Sequence, residues 1–158
     1  MTMRLALYQP DIAQNTGTIL RLCACLGVPA DVIGPTGFDM SDRALKRAAL
    51  DYLPLVDLTR HQSFAAFLES RTAAGRGNGR LILQSAHAET SHCDYAFGKD
   101  DTLLLGRESA GCPEAVHDGV DARVAIPMRP GFRSLNVAVA AAIALGEALR
   151  QTGGYPRG

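Results

Sequence analysis

The chain has 158 residues, of which 47% are hydrophobic and 20% charged, with a mean hydropathy of +0.02. These values are typical of a soluble globular protein with a single domain over residues 1–158, and no apolar run reaches membrane-spanning length. The formal net charge is zero and the isoelectric point is about 6.9, so nucleic acid would be bound only through a local basic patch. The apolar run at the start is too short for a signal peptide, and we expect a cytoplasmic protein.

Short apolar runs alternate with segments of helical periodicity along the chain. This alternation predicts an α/β fold with a mostly parallel sheet flanked by helices. The predicted strands are Arg4–Tyr8, Asp31–Gly34, Leu53–Asp57, Leu81–Gln84, Thr102–Leu105 and Arg123–Ile126. The predicted helices are Asn15–Leu26, Ser41–Ala49, Ser63–Arg71, a short turn at Pro113–His117, and Asn136–Gln151.

The glycines do not form a dinucleotide-binding fingerprint. Such a site needs a glycine-rich turn directly after the first strand, and here that turn contains Gly17 alone. The GRGNG segment at residues 75–79 precedes a predicted strand instead of following one, and it is too short to separate two domains.

The first polar segment, YQPDIAQNTGTILR, covers residues 8–21. Pro10 ends the first strand, and Asn15 and Thr16 are candidates for beginning the next helix. Asn15 and Arg21 would then lie near the carboxyl edge of the sheet, where open α/β sheets bind ligands. A helix cap followed by a surface arginine would produce the same pattern, so this segment alone does not establish a site.

The second polar segment, TLLLGRESAGCPE, covers residues 102–114. A buried strand ends at Gly106, and a loop with Arg107, Glu108 and Ser109 follows it. Gly106 and Gly111 permit close approach of a ligand to the backbone. A loop with an internal salt bridge is the alternative interpretation.

The third segment, IPMRPGFRSLNVAVAAAIALGEAL, covers residues 126–149. Residues 122–146, which include most of this segment, contain no acidic residue. Ser134 and Asn136 stand where a basic loop becomes a helix, a place suited to an anionic group. The helix is rich in alanine and apolar enough to pack on more than its own sheet, so we expect a dimer interface on it.

The four cysteines, Cys23, Cys25, Cys93 and Cys112, contain no CxxC pair. The looser group of His87, His92, Cys93 and Asp94 lacks a partner cluster with zinc-ligand spacing. We therefore expect reduced thiols and no metal.

Together, PDIAQNTGTILR, LGRESAGCPE and IPMRPGFRSLNVAVA resemble the three motifs of the SPOUT-class RNA 2′-O-ribose methyltransferases, in the same order. GFDMSDRALKRAALDY and the C-terminal GGYP are similar to the TrmL-type branch, which acts on the tRNA wobble nucleotide. The resemblance covers nearly the whole chain. It implies an α/β fold with a deep C-terminal trefoil knot and a homodimer. The knot does not follow from periodicity.

The resemblance also implies a cofactor, S-adenosyl-L-methionine, and a set of site residues. By position, Leu83, Gly106, Ile126 and Ser134 match the cofactor contacts. Arg21 matches the catalytic arginine, and the other catalytic motif positions are Asn15, Glu108, Ser134 and Asn136. Cys112 and Ala138 depart from residues common in relatives, and neither change removes a catalytic group.

Contacts with the tRNA anticodon stem-loop are expected from two sources. Arg133 and Tyr155 match tRNA-contacting positions of the family, and Arg129 lies in the same basic loop. Arg43, Lys46 and Arg47 share one face of a predicted helix through their spacing, although such a face is often merely solvated.

The resemblance predicts methylation of the ribose 2′-hydroxyl at position 34, either C or a modified U. Two alternatives stay open: the same transfer on another tRNA or rRNA site, and a non-catalytic RNA-binding protein that retains the fold. A small-molecule nucleotide-binding protein is disfavoured because the chain has no phosphate loop.

Overall fold

The structure is a computed structural model that describes residues 2–75 and 79–158. The three central residues of the GRGNG segment lie outside the described residues. The helices are α1 Ala13–Leu26, α2 Arg43–Ala49, α3 Phe64–Ala73, α4 Glu114–Asp118 and α5 Val137–Thr152, with a 3₁₀ helix at Leu50–Leu55. The strands are β1 Arg4–Tyr8, β2 Ala30–Ile33, β3 Leu58–His61, β4 Leu81–Gln84, β5 Thr102–Leu105 and β6 Ala122–Val124.

The strands form one six-stranded sheet in the order β3-β2-β1-β5-β4-β6, and every pairing is parallel. The predicted α/β class and parallel sheet are therefore confirmed. The strand order reverses between β1 and β5, because β2 and β3 extend to one side of β1 while β4 and β6 lie beyond β5. In open parallel sheets, ligands bind at the carboxyl edge next to such a reversal.

Two hydrophobic clusters cover the two faces of the sheet, because side chains alternate along each strand. On β1, Leu5 and Leu7 pack with α1 and α5, whereas Ala6 and Tyr8 pack with α3 and α4. The small side chains of its alanines let α5 lie close to the sheet. Five of these alanines are buried: Ala138, Ala140, Ala141, Ala144 and Ala148.

A buried ion pair also joins β1 to β2. Arg4 donates two hydrogen bonds to Asp31, at 2.8 and 3.0 Å, and Nε2 of His61 lies 2.9 Å from Asp31 Oδ1. His61 belongs to the edge strand β3, so this group links three neighbouring strands.

One predicted strand is wrong. The Leu53–Asp57 run belongs largely to the 3₁₀ helix, and the strand is Leu58–His61. Pro54 disfavours a strand in the run, and Leu55 is 71% exposed. The actual β3 is a polar edge strand without a buried apolar row, so periodicity did not reveal it. The remaining boundaries lie within two residues of those predicted.

The first helix begins earlier than predicted, at Ala13, with Ile12 as its N-cap and no side-chain capping bond. Asn15 is therefore inside the first turn and does not cap the helix, which leaves its side chain available for other contacts. The side chains of Ser63 and Asn136 cap α3 and α5, and Asn136 was predicted at such a position.

Within residues 2–75 and 79–158, no helix is long and apolar enough to cross a membrane. The same ranges contain no group of three or more His, Cys, Asp or Glu residues that could hold a metal ion. Of the cysteines, Cys23 is buried and Cys112 half-buried, while Cys25 and Cys93 are exposed.

Candidate active site

A cavity of about 1070 Å³ lies at the carboxyl edge of the sheet, beside the strand reversal. It is lined by the loops after β4, β5 and β6, and by the first turns of α1 and α5. The three polar segments noted in the sequence therefore meet at one place. The lining residues are 12, 15, 83–88, 106–108, 110–112, 117, 125–130, 132–137 and 140.

Most of the predicted site residues line this cavity. Those from the cofactor set are Leu83, Gly106, Ile126 and Ser134; those from the catalytic set are Asn15, Glu108, Ser134 and Asn136; those from the RNA set are Arg129 and Arg133. The structure thus brings together residues that lie more than a hundred positions apart in the chain.

Arg21 does not line the cavity formed by its own chain. It is exposed on α1, and its guanidinium carbon lies 5.5 Å from the centroid of the Tyr52 ring. Arg21 is six residues beyond Asn15, about one and two-thirds turns along the helix, so the two side chains point in different directions.

The other predicted RNA contacts also lie outside the cavity. Arg43, Lys46 and Arg47 are exposed on α2. Tyr155 is 45% exposed, but its hydroxyl donates a hydrogen bond of 3.2 Å to the carbonyl of Gly146. The aromatic ring is thereby held against α5.

Asn136 connects two of the motif loops. Its Oδ1 accepts hydrogen bonds from the backbone N–H groups of Ala138, at 2.8 Å, and Val139, at 3.4 Å, and so caps α5. Its Nδ2 donates to Oδ1 of Asn15 at 3.1 Å. One side chain therefore begins a helix and fixes the position of a polar group on the neighbouring helix.

Glu108 is tied to the loop before α1. Its Oε2 accepts a hydrogen bond of 3.1 Å from the backbone N–H of Asp11, and the hydroxyl of Ser109 donates to Asp11 Oδ2. The side-chain hydrogen bond with Glu108 lowers the pKa of Asp11, whereas burial raises the pKa of Glu108. Of the two carboxyl groups, Glu108 is the one that more readily keeps a proton.

Asp11 was not among the predicted site residues. The available signal was its position directly after Pro10, where β1 has ended and the chain crosses the carboxyl edge of the sheet. Its partner lies 97 residues away, so the contact itself could not be read from local pattern.

The loops after β4 and β6 are joined beside the cavity. The N–H of Ala125 donates to the carbonyl of Thr90 at 2.9 Å, and the N–H of His92 donates to the carbonyl of Ala125 at 2.8 Å. These bonds continue the parallel pairing beyond the strand ends and hold Ala125 and Ile126 at the cavity wall.

Gly106 packs closely against the loop that follows it. A Cβ at this position would lie 3.0 Å from Cys112 Sγ and 3.0 Å from the carbonyl carbon of Gly111. A side chain there would push the loop after β5 out of place, so glycine is required to keep this wall of the cavity in its present shape.

Comparison with known proteins identifies the family. The model of the SpoU rRNA Methylase family matches residues 2–146. A protein of Beijerinckia indica subsp. indica named tRNA (cytidine(34)-2′-O)-methyltransferase is 62% identical over 149 residues, which are 94% of this chain and 91% of that protein.

Two solved structures share the fold. One, described as structural insights into the 2-OH methylation of C/U34 on tRNA, has a TM-score of 0.87 at 48% identity and covers 95% of both chains. The other is the SpoU methyltransferase AviRb from Streptomyces viridochromogenes in complex with the cofactor AdoMet, with a TM-score of 0.87 at 28% identity, covering 95% of this chain and 57% of that one. The family match, the close relative and the shared fold agree: the chain belongs to the SpoU rRNA methylase family.

Proposed function

We propose that this protein transfers a methyl group from S-adenosylmethionine to the ribose 2′-hydroxyl of the wobble nucleotide, position 34, in tRNA. The observation that carries the proposal is the cavity in which Asn15, Glu108, Ser134 and Asn136 converge at the strand reversal. The relative from Beijerinckia, at 62% identity, bears a name with the same reaction and position. Because tRNA is the substrate, we place the protein in the cytoplasm.

The cavity fits an adenosyl cofactor. Leu83 and Ile126 are 1% and 9% exposed and form an apolar wall at two strand ends, and Gly106 lines the cavity without a side chain. Backbone groups at these strand ends would hold the adenosyl moiety, and Ser134 would contact it from the loop before α5. This arrangement explains how a chain without a glycine-rich dinucleotide fingerprint binds a nucleoside cofactor.

The knot implied by the resemblance belongs to the same proposal. The segment after β6 pairs with the loop after β4 through Ala125, and the chain then returns along the cavity to α5. In our proposal these two loops form the knotted region that folds around the cofactor.

S-adenosylmethionine supplies the methyl group as a sulfonium. The protein has to align the ribose hydroxyl for in-line displacement and stabilise the negative charge that develops on its oxygen. Arg21 is suited to the second task, since a guanidinium stays protonated and therefore cannot act as the base. The hydroxyl proton would leave through water or an RNA phosphate.

A homodimer would place Arg21 at the reacting group. Arg21 is exposed and lies outside the cavity of its own chain. Val139 and Ile143 on α5 are 46% and 40% exposed and share one helix face, and Ile12 near the start of α1 is 45% exposed. Covering these apolar side chains with a second copy would bring α1 of one copy toward the cavity of the other.

Two groups of basic side chains would hold the RNA, one in the lining of the cavity and one outside it on α2. Arg129 and Arg133 line it and would contact the anticodon loop directly. Arg43, Lys46 and Arg47 on α2 would contact the stem backbone, and the exposed ring of Tyr155 offers a surface for stacking an unpaired base.

A methyl-transfer assay tests the proposal. Purified protein is incubated with labelled S-adenosylmethionine and bulk tRNA from a strain that lacks the gene, and the labelled nucleoside is mapped. Label on the ribose of nucleotide 34 supports the proposal. Label at another position would retain the chemistry and change the substrate, whereas no label and no cofactor binding would favour a non-catalytic RNA-binding protein.

Variants of Arg21 test its role in the same assay. If the positive charge stabilises the oxyanion, Arg21→Lys retains part of the activity that Arg21→Ala loses. Equal loss in both variants would show that the planar geometry of the guanidinium is required.

A further inference from the structure

Arg107 lines the cavity, and its guanidinium has an enclosed hydrogen-bond donor, Nε, without a partner among the described residues. A buried donor left without a partner costs free energy, because it has given up its hydrogen bonds to water. Because Nε is enclosed, it indicates a guanidinium fixed in place beside the cavity and not a donor open to it.

The position of Arg107 is held from two sides. Its backbone N–H donates to the carbonyl of Gly111 at 3.2 Å, and the N–H of Gly111 donates back to the Arg107 carbonyl at 2.9 Å. Gly111 has a φ of 65°, which favours glycine. The guanidinium carbon lies 5.8 Å from the centroid of the Tyr8 ring, which is buried at the end of β1. The guanidinium is thus oriented before any ligand arrives.

The positive charge of Arg107 is not neutralised by the carboxylates nearest in sequence and space. Within the described parts of the chain, the ion pairs involve other arginines and His61, and Arg107 forms none. Glu108 bonds to Asp11 instead, and Asp11 also accepts a hydrogen bond from Ser109. The guanidinium opposes the burial that raises the pKa of Cys112 to about 11, so its charge acts on the cavity wall.

Arg107 directly follows Gly106, one of the proposed cofactor contacts, but its guanidinium lies toward β1. The cofactor positions Leu83 and Ile126 lie on β4 and just after β6. Arg107 follows β5 and rests on Tyr8 of β1, which is on the opposite side of β5 from β4. The guanidinium therefore lies away from Leu83 and Ile126, although its residue adjoins Gly106.

We propose that Arg107 binds a backbone phosphate of the tRNA strand beside the methylated nucleotide. This inference rests on the proposed function and adds a contact to it. A guanidinium matches a phosphate through parallel hydrogen bonds, and a preoriented, half-buried guanidinium makes such a contact stronger than one at the surface. The contact positions the RNA without reading its bases.

The test measures binding of two ligands to Arg107→Gln and Arg107→Lys. An anticodon stem-loop is titrated at several salt concentrations, and S-adenosylmethionine is titrated separately by calorimetry. The matched control is Arg60→Gln, which removes the same charge from an exposed position on the edge strand β3. Circular dichroism and thermal melting establish that each variant is folded.

We expect Arg107→Gln to weaken stem-loop binding about tenfold and to reduce the slope of log Kd against log salt by about 0.7, the loss of one phosphate contact to a single strand. S-adenosylmethionine affinity should stay within about twofold of the wild type, and Arg60→Gln should change neither. Arg107→Lys should retain part of the RNA affinity, because an ammonium keeps the charge without the paired donors.

Two outcomes would overturn the inference. A loss of S-adenosylmethionine affinity with unchanged RNA binding would assign Arg107 to the cofactor carboxylate. Unchanged binding of both ligands would show that Arg107 only packs against Tyr8 and contacts neither ligand. Failure of the proposed function is seen separately, in wild-type protein that binds the stem-loop but does not methylate nucleotide 34.

Discussion

Replacing Asn136 separates helix capping from the contact between the two asparagines at the cavity. Asn136→Ala removes the cap of α5, worth about 1 kcal/mol, and the exposed hydrogen bond to Asn15, worth about 0.5–1 kcal/mol. The variant should be less stable by about 1.5–2 kcal/mol. For a chain of this length, that loss lowers Tm by roughly 3–8 °C.

Asn136→Ser is the matched variant. A serine hydroxyl caps a helix nearly as well as asparagine but is too short to reach Asn15. We expect it to recover about 1 kcal/mol relative to Asn136→Ala, whereas methyl transfer should fall in both variants by about tenfold or more, the effect of misplacing a catalytic group. Urea denaturation and kcat/KM for tRNA at saturating cofactor measure the two effects.

Either of two results would refute this reasoning. Wild-type activity in Asn136→Ser would show that the bond to Asn15 has no part in catalysis. Equal stability of the Ala and Ser variants would show that Oδ1 of Asn136 does not stabilise α5, in spite of its distance of 2.8 Å from the N–H of Ala138.

Three further predictions concern packing, titration and assembly. Gly17→Ala places a methyl 2.3 Å from the Leu45 carbonyl oxygen, so calorimetry should show that the free energy of unfolding falls by about 1–2 kcal/mol. The control Gly146→Ala, whose methyl meets only Tyr155 Oη, should lose less stability. Burial raises the pKa of Glu108, so ionisation of its carboxyl group opposes folding. Glu108→Gln should therefore be less active but at least as stable as the wild type at neutral pH. Any stability advantage should disappear in acid, where Glu108 is protonated, and lower stability at neutral pH would contradict this. Ile143→Asp should convert a dimer to a monomer in sedimentation and reduce methyl transfer, and a monomeric wild type would contradict the proposed assembly.

Much of the local structure follows from the sequence because its causes lie within a few residues. Buried apolar runs specify five of the six strands, and β1, β4 and β5 have the predicted bounds. The side chains of Ser63 and Asn136 cap the helices that follow them. The strand β3 is the exception, since three of its four residues are polar and none is buried, so it shows no apolar pattern.

The convergence of the site depends on the tertiary structure. Three motifs were visible as separate loops, but Asn15 meets Asn136 across 121 positions and Asp11 meets Glu108 across 97. These contacts follow from the order of strands in the sheet, which places the carboxyl ends of β1, β5, β4 and β6 side by side. Only the folded chain shows that Arg21 lies outside its own cavity while Arg107 lies within it, because the direction of each side chain depends on which elements pack around it. The sequence alone determined the residue types at the site and the segments that carry them. The tertiary structure decided which of them meet, because strand order and packing bring together residues that no local pattern connects.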